Sequence, residues 1–166
     1  FHLDWSDFQI LAELIGAHGI EPVPDKAFFE NADITTTVAS RSKRPIKLKV
    51  PLVIPGLGST DVAKRNWDGL AKGSALSGII ETVGENVCGM DRDSIYSDGK
   101  VVRSPDLEFR ISSFRALWDG KFGDIAVQTN VEDTRAGVDQ YALSKLEVNI
   151  IERKWGQGAK AIGGEV

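Results

Sequence analysis

From residue 45 onwards, short apolar runs alternate with segments that carry helix-capping residues at one end and glycine at the other. Short runs rich in valine and isoleucine predict buried strands. A Ser or Thr before a segment and a Gly after it predict a helix between the two. Strand–helix alternation builds a parallel sheet with helices outside. The sequence therefore predicts an α/β fold with parallel strands at residues 46–54, 76–82, 124–128 and 147–152.

Helices are predicted between these strands, and a long loop is predicted at residues 83–103. The Ser-Pro pair that follows this loop has the usual order of a cap and then proline at the start of a helix. The predicted helices run from Ser59 or Thr60 to Lys72 before Gly73, from Ser104 and Pro105 to Trp118, and from Asp133 or Thr134 to Lys145.

Residues 1–44 are predicted to form a separate, short helical and irregular segment before the α/β domain of residues 45–166. Ser6 can cap a helix over residues 7–15, and a short strand is predicted at residues 34–38. The basic run from Arg41 to Lys49 indicates a solvated face, with anion steering as the alternative.

The composition excludes several classes of partner. Hydrophobic residues make up 42% of the 166 residues, which is typical of a soluble globular domain. The net charge of −4 leaves no basic footprint for nucleic acid. No apolar run approaches the roughly 18 residues of a membrane span. We therefore expect a cytoplasmic protein without nucleic-acid or membrane partners.

Cysteine and histidine indicate no metal site. Cys88 is the single cysteine, which suits a reducing cytosol, and we interpret it as a small residue packed beneath a loop. His2 and His18 have no Cys, Asp or Glu at metal-ligand spacing.

The chain begins with Phe1 and stops at Val166, directly after a glycine-rich loop, as expected for a fragment or for the ordered part of a longer protein.

The loops that follow the predicted strands carry glycine, small polar groups or a lone charge. In a parallel α/β sheet such loops converge at the carboxyl ends of the strands. The last loop holds four glycines between Gly156 and Gly164, with Lys160 among them. Their convergence favours a ligand site over structural turns. The loops lie at residues 55–60, 82–90, 128–132 and 154–164.

These loops resemble the flavin-binding synthase domain of glutamate synthases, in particular the archaeal-type large subunits. The last loop, residues 157–165, resembles the family's Gln-Gly-Ala-Lys-Pro-Gly-Glu-Gly-Gly signature. The first, Gly56-Leu57-Gly58-Ser59, resembles its Gly-Met-Ser-Phe-Gly loop, and Gly84-Glu85-Asn86 resembles its Gly-Glu-Gly-Gly loop. Gln128 stands where the family has a flavin-side glutamine. The resemblance covers about residues 33–166.

The resemblance implies a TIM-type (β/α)8 barrel that binds FMN. Because such a barrel needs about 250 residues, the chain would supply about its first half. The implied reaction is FMN-dependent reductive amination of 2-oxoglutarate to glutamate by way of 2-iminoglutarate. The implied partners are ammonia or glutamine, and electron-donor and glutaminase subunits or domains. An iron–sulfur cluster would be bound by the missing C-terminal part.

The resemblance also implies roles for individual residues. Lys160 and Glu85 would be catalytic: Lys160 would supply positive charge near the flavin or the substrate carboxylate, and Glu85 would orient polar groups near the imine. Gln128 and Gln157 would hydrogen-bond the flavin ring. The remaining residues implied to bind the cofactor are Gly56, Leu57, Gly58, Thr82, Gly84 and Asn86.

The sequence departs from the family pattern at several positions. Leu57 replaces a methionine, Gly58 replaces a serine, and Ala161 replaces the proline after the lysine. The residues after Glu85 replace a run of glycines, and Val166 replaces a polar residue that helps to hold the 2-oxoglutarate carboxylate. Two alternatives therefore stay open: another FMN-barrel oxidoreductase with a different substrate, and a non-catalytic module in a larger assembly.

Overall fold

The structure is a computed structural model that describes residues 33–155. All of these except Asp33 belong to one compact unit, which spans Ile34–Val166. The helix predicted at residues 7–15, the two histidines, Gln157 and Lys160 lie outside the described residues.

The described chain contains a parallel sheet flanked by helices and two short antiparallel hairpins. The parallel sheet has the order β3-β6-β7, and the hairpins are β1-β2 and β4-β5. This confirms the predicted α/β fold and its parallel pairing. The elements are β1 (Thr36–Val38), β2 (Ile46–Leu48), α1 (Asp61–Ser77), β3 (Ile80–Val83), α2 (Val87–Met90), β4 (Ile95–Ser97), β5 (Lys100–Arg103), α3 (Pro105–Arg115), β6 (Asp124–Thr129), α4 (Val131–Arg135), α5 (Val138–Ser144) and β7 (Ile150–Arg153).

The prediction of a continuous strand at residues 46–54 was wrong. Strand β2 is only three residues long and pairs antiparallel with β1. The chain beyond it runs parallel to β3 but makes only isolated bridges, from Val53 to Ile80 and from Leu57 to Val83. Pro51 lies in this stretch, and a second proline follows at position 55. Because proline has no N–H, it interrupts the ladder that a regular fourth strand would need.

The predicted end of α1 was also wrong, and so was the start of the strand after it. Thr60 caps α1 as predicted, but the helix continues through Gly73 to Ser77 and ends at Gly78. Its buried residues include Trp67, Ala71 and Ala75. Burial of this face outweighs the roughly 1 kcal/mol that an internal glycine costs a helix relative to alanine.

The loop predicted at residues 83–103 contains helix α2 and the β4–β5 hairpin. The hairpin turns at Asp98 and Gly99, whose φ angles are 50° and 72°. Asp-Gly is a strong signal for a two-residue hairpin turn with positive φ at both positions, and the loop prediction overlooked it.

The helix predicted at residues 133–145 is two helices, α4 and α5, separated at Gly137. Asn130, and not Asp133 or Thr134, caps α4. Helix α3 starts after Ser104 as predicted but ends at Arg115. The last strand starts at Ile150 instead of residue 147 because Glu147 has a φ of 52°, which does not fit a strand.

The two faces of the parallel sheet bury different side chains. Odd-numbered residues such as Val83, Ile125 and Val127 pack in the main core with the helices. On the opposite face, Ile80 and Ala126 pack with Leu48 of β2. Side chains alternate across a strand, so even-numbered residues further along β3, β6 and β7 share this second face. Of these residues, the ones near the carboxyl ends of the strands belong to the candidate site.

Cys88 is buried in the main core, which agrees with its interpretation as a packed residue. Burial raises the pKa of its thiol to about 12, so the thiol is neutral at physiological pH.

Within the described residues, no helix combines the length and the apolar character that crossing a membrane requires. In the same part of the chain, no three His, Cys, Asp or Glu side chains are grouped so that they could hold a metal ion.

Glu81 gives the protein a testable pH dependence. Its carboxylate is fully buried on the helix side of β3 and accepts a 2.5 Å hydrogen bond from Ser74 Oγ. Burial raises its pKa above the ordinary value of 4.5. Between that value and the raised one, the folded state binds more protons than the unfolded state. The free energy of unfolding should therefore fall as pH rises through this window.

We expect Glu81→Gln, which keeps the shape and removes the ionisation, to gain stability relative to wild type as pH rises above 4.5 and the Glu81 carboxyl of wild type ionises. Urea unfolding at several pH values measures this difference. A difference that is constant with pH would contradict the burial argument.

Candidate functional site

The segment at residues 55–58 packs directly against the carboxyl end of β3. Leu57 N donates to Thr82 O at 3.1 Å, and Gly84 N donates to Leu57 O at 2.8 Å. A Cβ on Gly84 would lie 2.6 Å from the carbonyl carbon of Leu57 and 2.7 Å from Gly58 Cα. A Cβ on Gly58 would lie 3.0 Å from Glu85 O. The first two predicted loops thus touch through their backbones, and glycine allows this approach.

Gln128, at the end of β6, joins these loops. A Cβ on Gly56 would lie 2.8 Å from both Nε2 and Oε1 of Gln128, so the first loop lies directly on the glutamine amide. Gln128 Nε2 donates to Glu152 Oε1 of β7 at 2.6 Å. Gln128, Glu152 and Thr82 are even-numbered strand residues on the sheet face opposite the helices. Thr82 Oγ1 is buried there without a hydrogen-bond partner among residues 33–155.

A second polar pair spans β7 and the second loop. Lys154 Nζ lies 3.2 Å from Glu85 Oε1, and the two side chains are 34% and 11% exposed. Lys154 N also donates to Thr129 O at 2.9 Å, which extends the pairing of β6 and β7 past the last strand residue. This half-buried ion pair places a cation and a carboxylate beside the glycine loops.

Asn86 connects the second loop to the third. Its φ of 65° is in the left-handed region, which asparagine tolerates better than most residues. Its N–H donates to Asp133 Oδ2 at 2.9 Å, and its Oδ1 accepts from Asn130 Nδ2 at 2.7 Å. Asn130 and Asp133 also form the capping box of α4. The start of α4 therefore holds the second loop in place.

Arg110 of α3 supports the first loop from behind. Its fully buried guanidinium donates through Nη1 to Leu57 O at 3.1 Å and to Gly58 O at 2.9 Å. Nε donates to Asp106 Oδ1 at 3.2 Å, and the guanidinium lies 5.0 Å from the ring centroid of Trp67. A buried cation thus fixes two carbonyls of the loop.

The structure brings together most of the residues that the sequence singled out. Five of them, Gly56, Gly58, Gly84, Glu85 and Gln128, are joined by direct approaches. Leu57, Thr82 and Asn86 lie in the same loops and strand ends. Whether Gln157 and Lys160 join them is outside the described residues.

Sequence reasoning missed Glu152, Lys154 and Arg110. The first two could have been found, because Ile150, Glu152 and Lys154 have the period-two spacing that places side chains on one face of a strand. Arg110 lies in a helix and binds carbonyl oxygens of the first loop, and no local sequence pattern indicates such a role.

Gly84 offers a direct test of the contact between the first two loops. We expect Gly84→Ala to lower the free energy of unfolding by about 1–3 kcal/mol, because its Cβ would overlap backbone atoms that must move. Gly89→Ala is the matched control, since Gly89 lies five residues on in α2 with nothing within 4 Å of an added Cβ. Urea unfolding of both variants measures the effect. Equal stabilities would contradict the close approach.

Comparison of the chain with protein-family models, with curated proteins and with solved structures finds no match.

Proposed function

We propose that the chain is part of an FMN-dependent oxidoreductase of the glutamate synthase type, which converts 2-oxoglutarate and ammonia to glutamate by way of 2-iminoglutarate. The observation that carries this proposal is the approach of the glycine loop to Gln128, with the position of a Gly56 Cβ 2.8 Å from the amide. The residues of three separate sequence motifs lie together, as a shared ligand site requires. The choice of FMN as the ligand rests on the resemblance of these motifs to those of the glutamate synthase family.

The proposed architecture is about half of a TIM-type (β/α)8 barrel. Parallel pairing of β3, β6 and β7, with helices on one face, supports it. Active sites of such barrels lie at the carboxyl ends of the strands, where Gln128 and the glycine loops are found. The remaining strands and an iron–sulfur cluster would lie outside these 166 residues. Electron-donor and glutaminase subunits or domains would act with it in the cytoplasm.

The residues present fit a flavin ring by their chemistry. Gln128 offers both a donor and an acceptor, and Glu152 holds its amide in one orientation. Thr82 Oγ1 is a buried hydroxyl that lacks a partner among the described residues, on the same sheet face. When bound, FMN supplies hydride transfer, while the protein positions the reactants and sets the local charge.

The side chains of Lys154 and Glu85 would determine the local charge beside the flavin. Outside bulk water an ammonium group attracts a substrate carboxylate or a developing negative charge more strongly than at a surface. Lys154 is held 3.2 Å from Glu85 and therefore points at the loops. Lys160 and Gln157, which follow Lys154 in the sequence, would complete the set.

A second candidate is another FMN-barrel oxidoreductase with a different substrate. The ion pair of Glu85 and Lys154 favours it, because a carboxylate engaged by a lysine is less available to orient an imine. A third candidate, a non-catalytic module, is distinguished by failure to bind flavin.

Turnover of the full-length polypeptide with FMN under reducing conditions tests the proposal. We expect glutamate to form from 2-oxoglutarate and ammonia, and no amino acid to form when pyruvate replaces 2-oxoglutarate. An FMN-loaded protein that reduces another acceptor but forms no glutamate would support the second candidate. A protein that binds no flavin would overturn the proposal.

A further inference from the structure

A polar pocket lies at the opposite end of the parallel sheet from the candidate site. It has a volume of about 550 Å³, within the roughly 300–1,000 Å³ that small-molecule sites occupy. Val148 and Asn149 line it just before β7 begins, whereas Glu152 and Lys154 lie at the other end of that strand. The inference therefore does not depend on the function proposed for the glycine loops.

Two arginines line this pocket, and neutral oxygen atoms hold both of them. Arg44 Nη1 donates to Asn149 Oδ1 at 2.7 Å, and Arg115 Nη2 donates to the carbonyl oxygen of Glu147 at 3.0 Å. Among residues 33–155, neither guanidinium has a carboxylate within salt-bridge distance, which is also true of Arg41, Arg65 and Arg92, whereas the other four arginines form ion pairs. Both cations are thus oriented by neutral acceptors, and among residues 33–155 neither has an ion-pair partner; Arg44 is exposed and Arg115 is partly buried.

The rest of the lining adds a fixed aromatic wall and a hydroxyl. Trp118 donates its Nε1–H to Phe122 O at 2.9 Å, which fixes the position of the indole. Ser144, whose Oγ donates to Gln140 O at 2.6 Å, also lines the pocket. Glu147 has a φ of 52°, an unfavourable backbone conformation for glutamate, and its carbonyl is the group that holds Arg115.

We propose that this pocket binds a small molecule with a phosphate or carboxylate group attached to a planar, apolar body. Guanidinium groups match the geometry of both oxyanions, and hydrogen bonds between charged groups are stronger than those between neutral groups. Arg44 and Arg115 bind the anionic group, and the planar body packs on Trp118. Glu147 also lines the pocket, and its negative charge disfavours ligands with a second negative charge on the body.

Titration calorimetry of the full-length polypeptide with phenyl phosphate, benzoate, inorganic phosphate and phenol tests this site. Phenyl phosphate and benzoate distinguish the two sources of the oxyanion, inorganic phosphate lacks the planar body, and phenol lacks the charge. We expect one ligand per chain for phenyl phosphate, benzoate or both, and weaker binding of the other two.

The variants Arg44→Gln and Arg115→Gln should each weaken this binding on the order of tenfold or more, and Trp118→Leu should remove the advantage over inorganic phosphate. Arg41→Gln is the matched control, because Arg41 lies in the same turn region and outside the pocket. Thermal unfolding checks that each variant is folded. Absence of saturable binding, or equal binding by wild type and both arginine variants, would overturn the inference, as would an equal loss in Arg41→Gln.

Discussion

Replacing Arg110 by methionine is expected to lower the free energy of unfolding by about 3–5 kcal/mol, the range for breaking a buried ion pair by removing one partner. Arg110 is fully buried and donates to Asp106 and to the carbonyls of Leu57 and Gly58. Methionine fills much of the volume but donates no hydrogen bond. The two loop carbonyls and the Asp106 carboxylate each lose one hydrogen bond, and the cation–π contact with Trp67 is lost as well.

The matched control is Arg103→Met. Arg103 is 59% exposed on its side chain and forms one ion pair, at 3.7 Å to Glu108. Exposed pairs contribute about 0–1 kcal/mol, so this variant should unfold almost as wild type does. Urea unfolding compares the two, and amide hydrogen exchange at Leu57 and Gly84 should accelerate only in Arg110→Met. If both variants lost the same small amount of stability, Arg110 would not anchor the loop.

Lys160→Met should lower turnover of the full-length protein by roughly 10²-fold or more, the effect of removing one electrostatic stabiliser from an active site. This prediction depends on the proposed function. Reduced flavin carries negative charge on its pyrimidine end at neutral pH, and a lysine there stabilises the reduced anion. Methionine keeps the side-chain length and removes the charge. The flavin midpoint potential should therefore fall together with turnover.

Lys43→Met is the control, since Lys43 is an exposed lysine in the basic run of residues 41–49. A solvated surface lysine changes stability by no more than about 0.5 kcal/mol when replaced and leaves turnover normal. Normal turnover and an unchanged midpoint potential in Lys160→Met would show that Lys160 is outside the site.

Several elements were predictable because a local signal agreed with the final packing. Thr60 and Ser104 cap α1 and α3 as their sequences indicate. Strand β6 was predicted to within one residue, since all six of its residues are buried and its centre is the apolar run Ile-Ala-Val at residues 125–127. Local signals failed where tertiary contacts determine the structure. Gly73 predicted the end of α1, but burial of one helix face stabilises the helix as far as Ser77. At Pro51 the apolar pattern suggested a strand, but the missing donor prevented one.

The candidate site also contains features that the sequence predicted and contacts that it did not. The glycines at 56, 58 and 84 were predictable as points of close approach, because each stands after a strand-like run. The partners of the polar residues were not predictable from spacing alone. The pairing of Gln128 with Glu152 depends on the register of β6 on β7, and that of Glu85 with Lys154 joins residues 69 apart in sequence. Register is a tertiary property and has no local sequence signal in these strands.

The glycine loops and Gln128 are proposed to form one flavin site. FMN titration of the flavin-free full-length polypeptide, followed by flavin fluorescence, tests it most directly when wild type is compared with Gln128→Leu. We predict one FMN per chain for wild type, and binding weaker by on the order of tenfold for Gln128→Leu, because one hydrogen-bonding side chain is lost. Absence of saturable FMN binding by wild type, or equal affinity of the two proteins, would contradict the claim.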